Sequence, residues 1–148
     1  MIRHRQLLFC YGTLRRGTGH ELSLLLERRE KYLGRARFEG VLYDMGSYPA
    51  ALSVAGSHPG ILGDVYALYH PGEVLDIMDR YEGCTENDIR PHEYRREKHA
   101  VRMEPGGPAT GVARAWVYVL NRDPGTAPRI EGGDYLSYLG CLEGFERL

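Results

Sequence analysis

Two short stretches carry residue types that could do chemistry: FCYGTLRRGTG at residues 9–19 and DRYEG at residues 79–83. In the first, Gly12 and Gly17 bracket four residues and Thr18 follows at once, close to a phosphate-gripping loop. Such a loop needs a Lys between its second Gly and the Thr to reach the phosphates, and none stands there. What remains is YGTL. A Gly just past a strand end lets the backbone turn tightly and lets a ligand approach the main chain. Successive N–H groups there, near a helix N-terminus, favour an anion such as carboxylate or phosphate. A plain strand-to-helix turn with no ligand fits the same glycine spacing. In the second stretch Glu82 falls at a helix C-terminus, where carbonyls present partial negative charge. That placement disfavours its ionised form and makes it a stronger base, as a proton-shuttling carboxylate needs. A solvated glutamate at a helix end is the competing reading. Asp76 and Asp79 precede it, but spacing does not say which acids share a pocket.

Other chemistries are poorly served. The histidines are scattered, with no HxH or HExxH, and the three cysteines, Cys10, Cys84 and Cys141, lie far apart with no CxxC pair. No zinc signature results, and no metal or cofactor is expected. No Ser lies in a G-x-S-x-G elbow, and neither Cys10 nor Cys84 has an identifiable His base, so covalent catalysis has little support. Tyrosine is abundant, with 11 in the chain. Tyr11, Tyr43, Tyr48, Tyr81, Tyr94 and Tyr118 fall in or beside expected strands and turns. Such rings serve as core residues with a wet hydroxyl or line a polar-mouthed pocket, and the sequence does not separate these uses.

The chain must position these groups with ordinary means. Its 148 residues, 43% hydrophobic and 26% charged, suit one globular domain over residues 1–148 with a real core. Nineteen basic side chains oppose 20 acidic ones for a net charge of −1, so no global field recruits nucleic acid or an anionic membrane. RPHEYRR is basic but offers no stacking platform. The sparse, odd set of cysteines suits reduced thiols, and after Arg3, His4 and Arg5 the run QLLF is too short for a signal sequence. No stretch approaches the roughly 18 apolar residues of a membrane span. The expectation is a soluble, cytoplasmic protein.

Along the chain, RQLLFCY (Arg5 to Tyr11) reads as a buried strand stopped by Gly12. Thr18 and Glu21 have capping-box spacing, and Leu22, Leu25, Leu26 and Leu33 follow on one helical face with Gly34 as the stop. That predicts a helix of roughly four turns. Ala36 to Met45 predicts a strand, Ile61 to Tyr69 another with Gly63 as a bulge. Pro71 opens a second helix, in which Val74, Leu75, Met78 and Tyr81 share a face and which ends at Gly83. YRREKHAVRM and VARAWVYVL form two strands joined by a Gly-Pro-rich connection. In the latter, Ala113, Ala115, Val117 and Val119 form the packed face, leaving Trp116 and Tyr118 on the other. A short helix after Gly133 is the remaining candidate. Five or six strands and short helices without regular alternation predict an α+β fold, its mixed or antiparallel sheet curled into a small barrel.

The order of LFCYGTLRRG, GSYPAAL, GDVYAL, LDIMDRYEG, YRR, WVYV and GGDYLSYL resembles the gamma-glutamylcyclotransferase-like family, which includes the gamma-glutamylamine cyclotransferases and plant AIG2-like proteins. The resemblance runs from about Leu7 to Leu139. It implies a barrel of five or six strands flanked by helices. It implies that Tyr11, Gly12, Thr13 and Leu14 supply contacts to a glutamyl head group, that Glu82 is the catalytic glutamate, and that Tyr94 and Tyr118 line the substrate site. The implied reaction is cyclisation of a gamma-glutamyl amide to 5-oxoproline with release of an amine or amino acid. It needs no metal, cofactor or enzyme nucleophile. The implied partner is that small molecule, not nucleic acid or membrane; oligomeric state is not readable. A non-catalytic, carboxylate-binding or regulatory protein on the same fold is the alternative, and a nucleotide-binding protein a more distant one.

Overall fold

A computed structural model describes residues 5–146, with side chains through residue 140. Arg3, His4 and the side chain of Cys141 lie outside the described residues. The chain order is β1 (Gln6–Cys10), α1 (Glu21–Arg29), β2 (Lys31–Phe38), β3 (Gly40–Asp44), β4 (Pro49–Ser53), β5 (Ile61–Leu68), α2 (Pro71–Tyr81), β6 (Tyr94–Met103), β7 (Val112–Leu120) and α3 (Tyr135–Glu146).

Five strands close a barrel in the order β1-β5-β2-β6-β7, and β3 pairs with β4 as a separate ribbon. Every barrel pairing is antiparallel except the parallel closure of β1 on β7 at Leu8↔Trp116. The fold is therefore the expected α+β mixed barrel flanked by short helices. Period-2 alternation sorts the apolar residues into two cores. Leu7, Phe9, Tyr11, Ala36, Phe38, Val65, Val101, Ala115, Val117 and Val119 pack together with residues of the β3–β4 ribbon and α3. Leu8, Cys10, Tyr66, Leu68, Tyr118 and Leu120 point the other way and are covered by Leu26 of α1 and Val74, Leu75 and Met78 of α2. Trp116 and Tyr118 thus lie on the second face, as alternation predicts, but that face is covered and not left to solvent.

Several expectations are corrected. Thr18 does not cap α1. Its hydroxyl donates to the Thr13 carbonyl at 2.6 Å and accepts the His20 N–H at 3.3 Å, while His20 Nδ1 caps the helix by accepting the Leu22 N–H at 3.1 Å. The helix ends at Arg29, nine residues long, and Leu33 belongs to β2. The cause is tertiary: residues 31–38 pair with β5 from Lys31↔Ala67 to Phe38↔Ile61, and that ladder overrides a leucine spacing that suits a helix. Glu30 fixes the corner. Its carboxylate is fully buried, accepts the His70 N–H at 3.0 Å and faces His70 Nδ1 at 3.1 Å.

The expected single strand over 36–45 divides at Glu39, the first part pairing in the barrel and the second with β4. Gly40 lets the ribbon close, since a Cβ there would lie 2.5 Å from the Leu52 carbonyl oxygen. The irregularity in the barrel falls between Tyr32 and Gly34, not at Gly63. Gly63 instead permits a close approach: a Cβ there would sit 2.5 Å from Phe9 Cζ and 2.7 Å from the Cys10 carbonyl oxygen. No described helix is long and apolar enough to cross a membrane.

Candidate active site

β1 runs out at Cys10, and the chain turns over its end. The Arg15 N–H donates to the Gly12 carbonyl at 3.1 Å, closing a turn over Gly12–Arg15. Beyond it, Arg15 and Arg16 are tied down by the buried Asp64 of β5. Arg15 Nε and the Arg16 N–H both reach Asp64 Oδ2 at 3.0 Å, and the Tyr32 hydroxyl reaches Oδ1 at 2.7 Å. The turn itself is thereby left with little internal bonding. The N–H groups of Gly12, Thr13 and Leu14 donate to no acceptor among the described residues. Gly12 also has a steric reason to be glycine, since a Cβ would come within 2.9 Å of Pro49 Cγ.

This turn faces a pocket of about 370 Å³ between the end of β1, the start of β4, the end of α2 and the strands β6 and β7. Tyr11, Gly12, Thr13, Leu14, Glu82, Tyr94 and Tyr118, the seven residues singled out from sequence, all line it. Tyr48, Tyr81 and Glu93 complete its polar lining and were not assigned to the site beforehand. Glu93 stands directly before Tyr94, which is the one local hint of its position. Among the described residues no Lys, Arg or His lines the pocket.

Glu82 is the C-cap of α2, its N–H bonded to the Met78 carbonyl at 2.9 Å. Its carboxylate meets no hydrogen-bond donor among the described residues, and its pKa is pushed up to about 7. Burial is the larger cause and the nearby charge of Glu93 the second. The raised basicity expected at this position is present, with desolvation and a like charge as its leading causes. Glu93 is held by the Tyr48 hydroxyl at 2.8 Å and Arg122 Nη2 at 2.7 Å, both on Oε2.

The three expected tyrosines share one property. Each hydroxyl proton is committed to a protein acceptor: Tyr11 to the Tyr118 carbonyl at 2.7 Å, Tyr94 to the Pro49 carbonyl at 2.9 Å, and Tyr118 to Asp79 Oδ1 at 2.7 Å. Burial is the leading cause that pushes all three phenols well above their usual range. They stay neutral and line the pocket with no hydroxyl proton to give. The thiol of Cys10, also in the lining, is pushed up strongly by burial and then by Asp64 and Glu82, so it is no nucleophile at neutral pH.

Comparison with known proteins agrees with this architecture. Residues 8–137 match the family described as Gamma-glutamyl cyclotransferase, AIG2-like. No curated protein sequence matches the chain. Among solved structures, an aig2-like protein from Mus musculus is similar with a TM-score of 0.69 at 22% identity, over 89% of this chain and 88% of that one. YkqA from Bacillus subtilis has a TM-score of 0.66 at 22% identity. The match covers 95% of this chain but spans only 43% of YkqA. An uncharacterized protein from Pyrococcus horikoshii has a TM-score of 0.64 at 22% identity, over 94% of this chain and 97% of that one. At these identities the likeness is one of fold.

Proposed function

The chain belongs to the Gamma-glutamyl cyclotransferase, AIG2-like family, and from that premise we propose that it cyclises a gamma-glutamyl amide to 5-oxoproline, with Glu82 transferring the proton. The observation that carries this reading is that a basic, donor-free carboxylate and a turn with three unengaged N–H groups line one pocket, in whose lining no cationic side chain stands among the described residues. A glutamyl head group brings an α-carboxylate and an α-ammonium. With no Lys or Arg in the lining, the negative group falls to the Gly12–Leu14 N–H groups, and the positive one to Glu82 and the phenol oxygens.

The reaction is intramolecular. Glu82 takes a proton from the α-ammonium, and the freed nitrogen attacks the γ-carbonyl carbon. The bond from that carbon to the amide nitrogen then breaks as Glu82 returns the proton to the departing nitrogen. The attacking nitrogen, left with two hydrogens and a positive charge, passes its second proton to the freed amine, which leaves as an ammonium. A pKa near 7 suits both directions of transfer, and such general acid–base catalysis is worth roughly 10²–10⁴-fold. Folding the glutamyl chain into attack geometry contributes more, since effective molarities reach about 10⁵–10⁸ M. Backbone N–H groups that do not grip the carboxylate are free to steady the oxyanion.

The test is to incubate the protein with a panel of gamma-glutamyl dipeptides and gamma-glutamyl alkylamides and follow 5-oxoproline. Product from at least one member supports the proposal. No product across the panel, together with measurable binding of the same compounds, favours the carboxylate-binding alternative.

A further inference from the structure

The last turn of α2 carries two carboxylates, Asp79 and Glu82, at the end of a helix where neither is electrostatically welcome. Their surroundings differ completely. Asp79 is held by Arg96 of β6 through two bonds, Nε to Oδ1 at 2.8 Å and Nη2 to Oδ2 at 3.2 Å, and by the Tyr118 hydroxyl of β7 at 2.7 Å. Cys84 returns to the same residue, its N–H on the Asp79 carbonyl at 3.0 Å. Arg96 is itself braced, its guanidinium 4.2 Å from the centre of the Trp116 ring, and Trp116 Nε1 donates to Gln6 Oε1 of β1 at 2.8 Å. Two barrel strands thus bond one helical carboxylate, and a third braces them through Trp116.

Tyr118 extends this to the other half of the site. Its hydroxyl goes to Asp79, while its backbone carbonyl accepts the Tyr11 hydroxyl at 2.7 Å, one residue before the Gly12 turn. A single residue of β7 therefore ties the turn that ends in Glu82 to the strand end that carries the N–H cradle. Bidentate guanidinium–carboxylate pairs fix direction as well as distance. Glu82 has no side-chain bond of its own to fix it, so its depth in the pocket depends on where this turn is held.

We propose that Asp79 is a positioning residue, acting through Arg96 and Tyr118 to set the Glu82 carboxyl against the Gly12–Leu14 turn. This rests on the reading of Glu82 as the proton-transfer group, but the placement of its carboxyl can be measured without turnover. The charge-neutral pair Asp79→Asn with Arg96→Gln removes the clamp while leaving the net charge unchanged. In a variant that melts cooperatively, kcat falls roughly tenfold while KM stays within about twofold, because misplacing a reacting group by a fraction of an ångström slows chemistry more than binding. The Glu82 carboxyl, followed by ¹³C NMR titration, moves down toward the ordinary carboxylate range as the loosened turn admits water. Tyr118→Phe, a milder change, produces the same direction of shift in the parent and none in the Asp79→Asn background.

An unchanged Glu82 titration in the folded double variant, or full additivity of Tyr118→Phe with Asp79→Asn, overturns the proposal. If the double variant does not fold, the titration of the Tyr118→Phe protein decides alone. Should the parent protein yield no 5-oxoproline from any amide, the functional reading fails, and the titrations still decide whether Asp79 holds Glu82.

Discussion

Arg15 Nε lies 3.0 Å from Asp64 Oδ2, and the two side chains are 7% and 4% exposed. This buried pair sits immediately behind the Gly12–Leu14 turn and joins it to β5. Asp64 also accepts the Arg16 N–H and the Tyr32 hydroxyl, whose pKa is pushed up to about 12, first by burial and then by Asp64. Arg15 reaches onward to Asp134, before α3, at 2.9 Å. The turn proposed to grip substrate is therefore anchored from below by a charge network whose central pair, Arg15 and Asp64, is buried.

Removing one member of such a pair leaves the other charged in the interior. Asp64→Ala is expected to destabilise the fold by about 3–5 kcal/mol, a range measured for broken buried pairs. Urea denaturation reads this directly. Arg15→Met combined with Asp64→Leu should recover much of the loss, because no unpaired charge remains. A single variant as stable as the parent would show that Arg15 finds full compensation at Asp134.

Glu82→Gln keeps shape but cannot take a proton, so 5-oxoproline formation should fall by roughly 10²-fold or more with the fold intact. The same variant reports on stability. The folded pKa of Glu82 is raised from 4.5 to about 7, so the protein binds this proton more tightly than the unfolded chain does. The stabilisation from the neutral carboxyl is fully present below about 4.5 and is lost as pH rises through about 7. Parent and Glu82→Gln should melt alike near pH 4, and the variant should become the more stable of the two above pH 7. A melting difference independent of pH contradicts the raised pKa.

Activity should follow the same group. The rate at limiting substrate rises with pH along an acid limb centred close to 7, where Glu82 loses its proton. Glu93→Gln removes the second cause of the shift and leaves the first. Its limb should move to lower pH yet remain above 4.5, because burial is the larger contribution. A limb that does not move on this substitution places the titrating group elsewhere.

Legibility in the sequence followed the range of the interactions. β6 and β7 occupy the stretches YRREKHAVRM and VARAWVYVL because alternation and Gly-Pro punctuation are local signals. α2 opens at Pro71 for the same kind of reason. The end of α1 is hidden from local signals because Leu33 satisfies a helical spacing while its backbone is claimed by β5, far along the chain. The Thr18 capping box failed likewise: the spacing was right, but the hydroxyl is drawn to Thr13.

By itself the sequence determined the strand and helix types over most of the chain, the YGTL turn at a strand end, and a glutamate closing the second helix. Those follow from steric and hydrogen-bonding preferences that act over a few residues. Only the tertiary structure decided that the turn and Glu82 open onto one pocket, that Glu93 adds a like charge there, and that Arg96 and Tyr118 clamp Asp79 and leave Glu82 free. Burial and electrostatic coupling depend on distance through space, and residues 11, 82, 93 and 118 become neighbours only when the barrel closes.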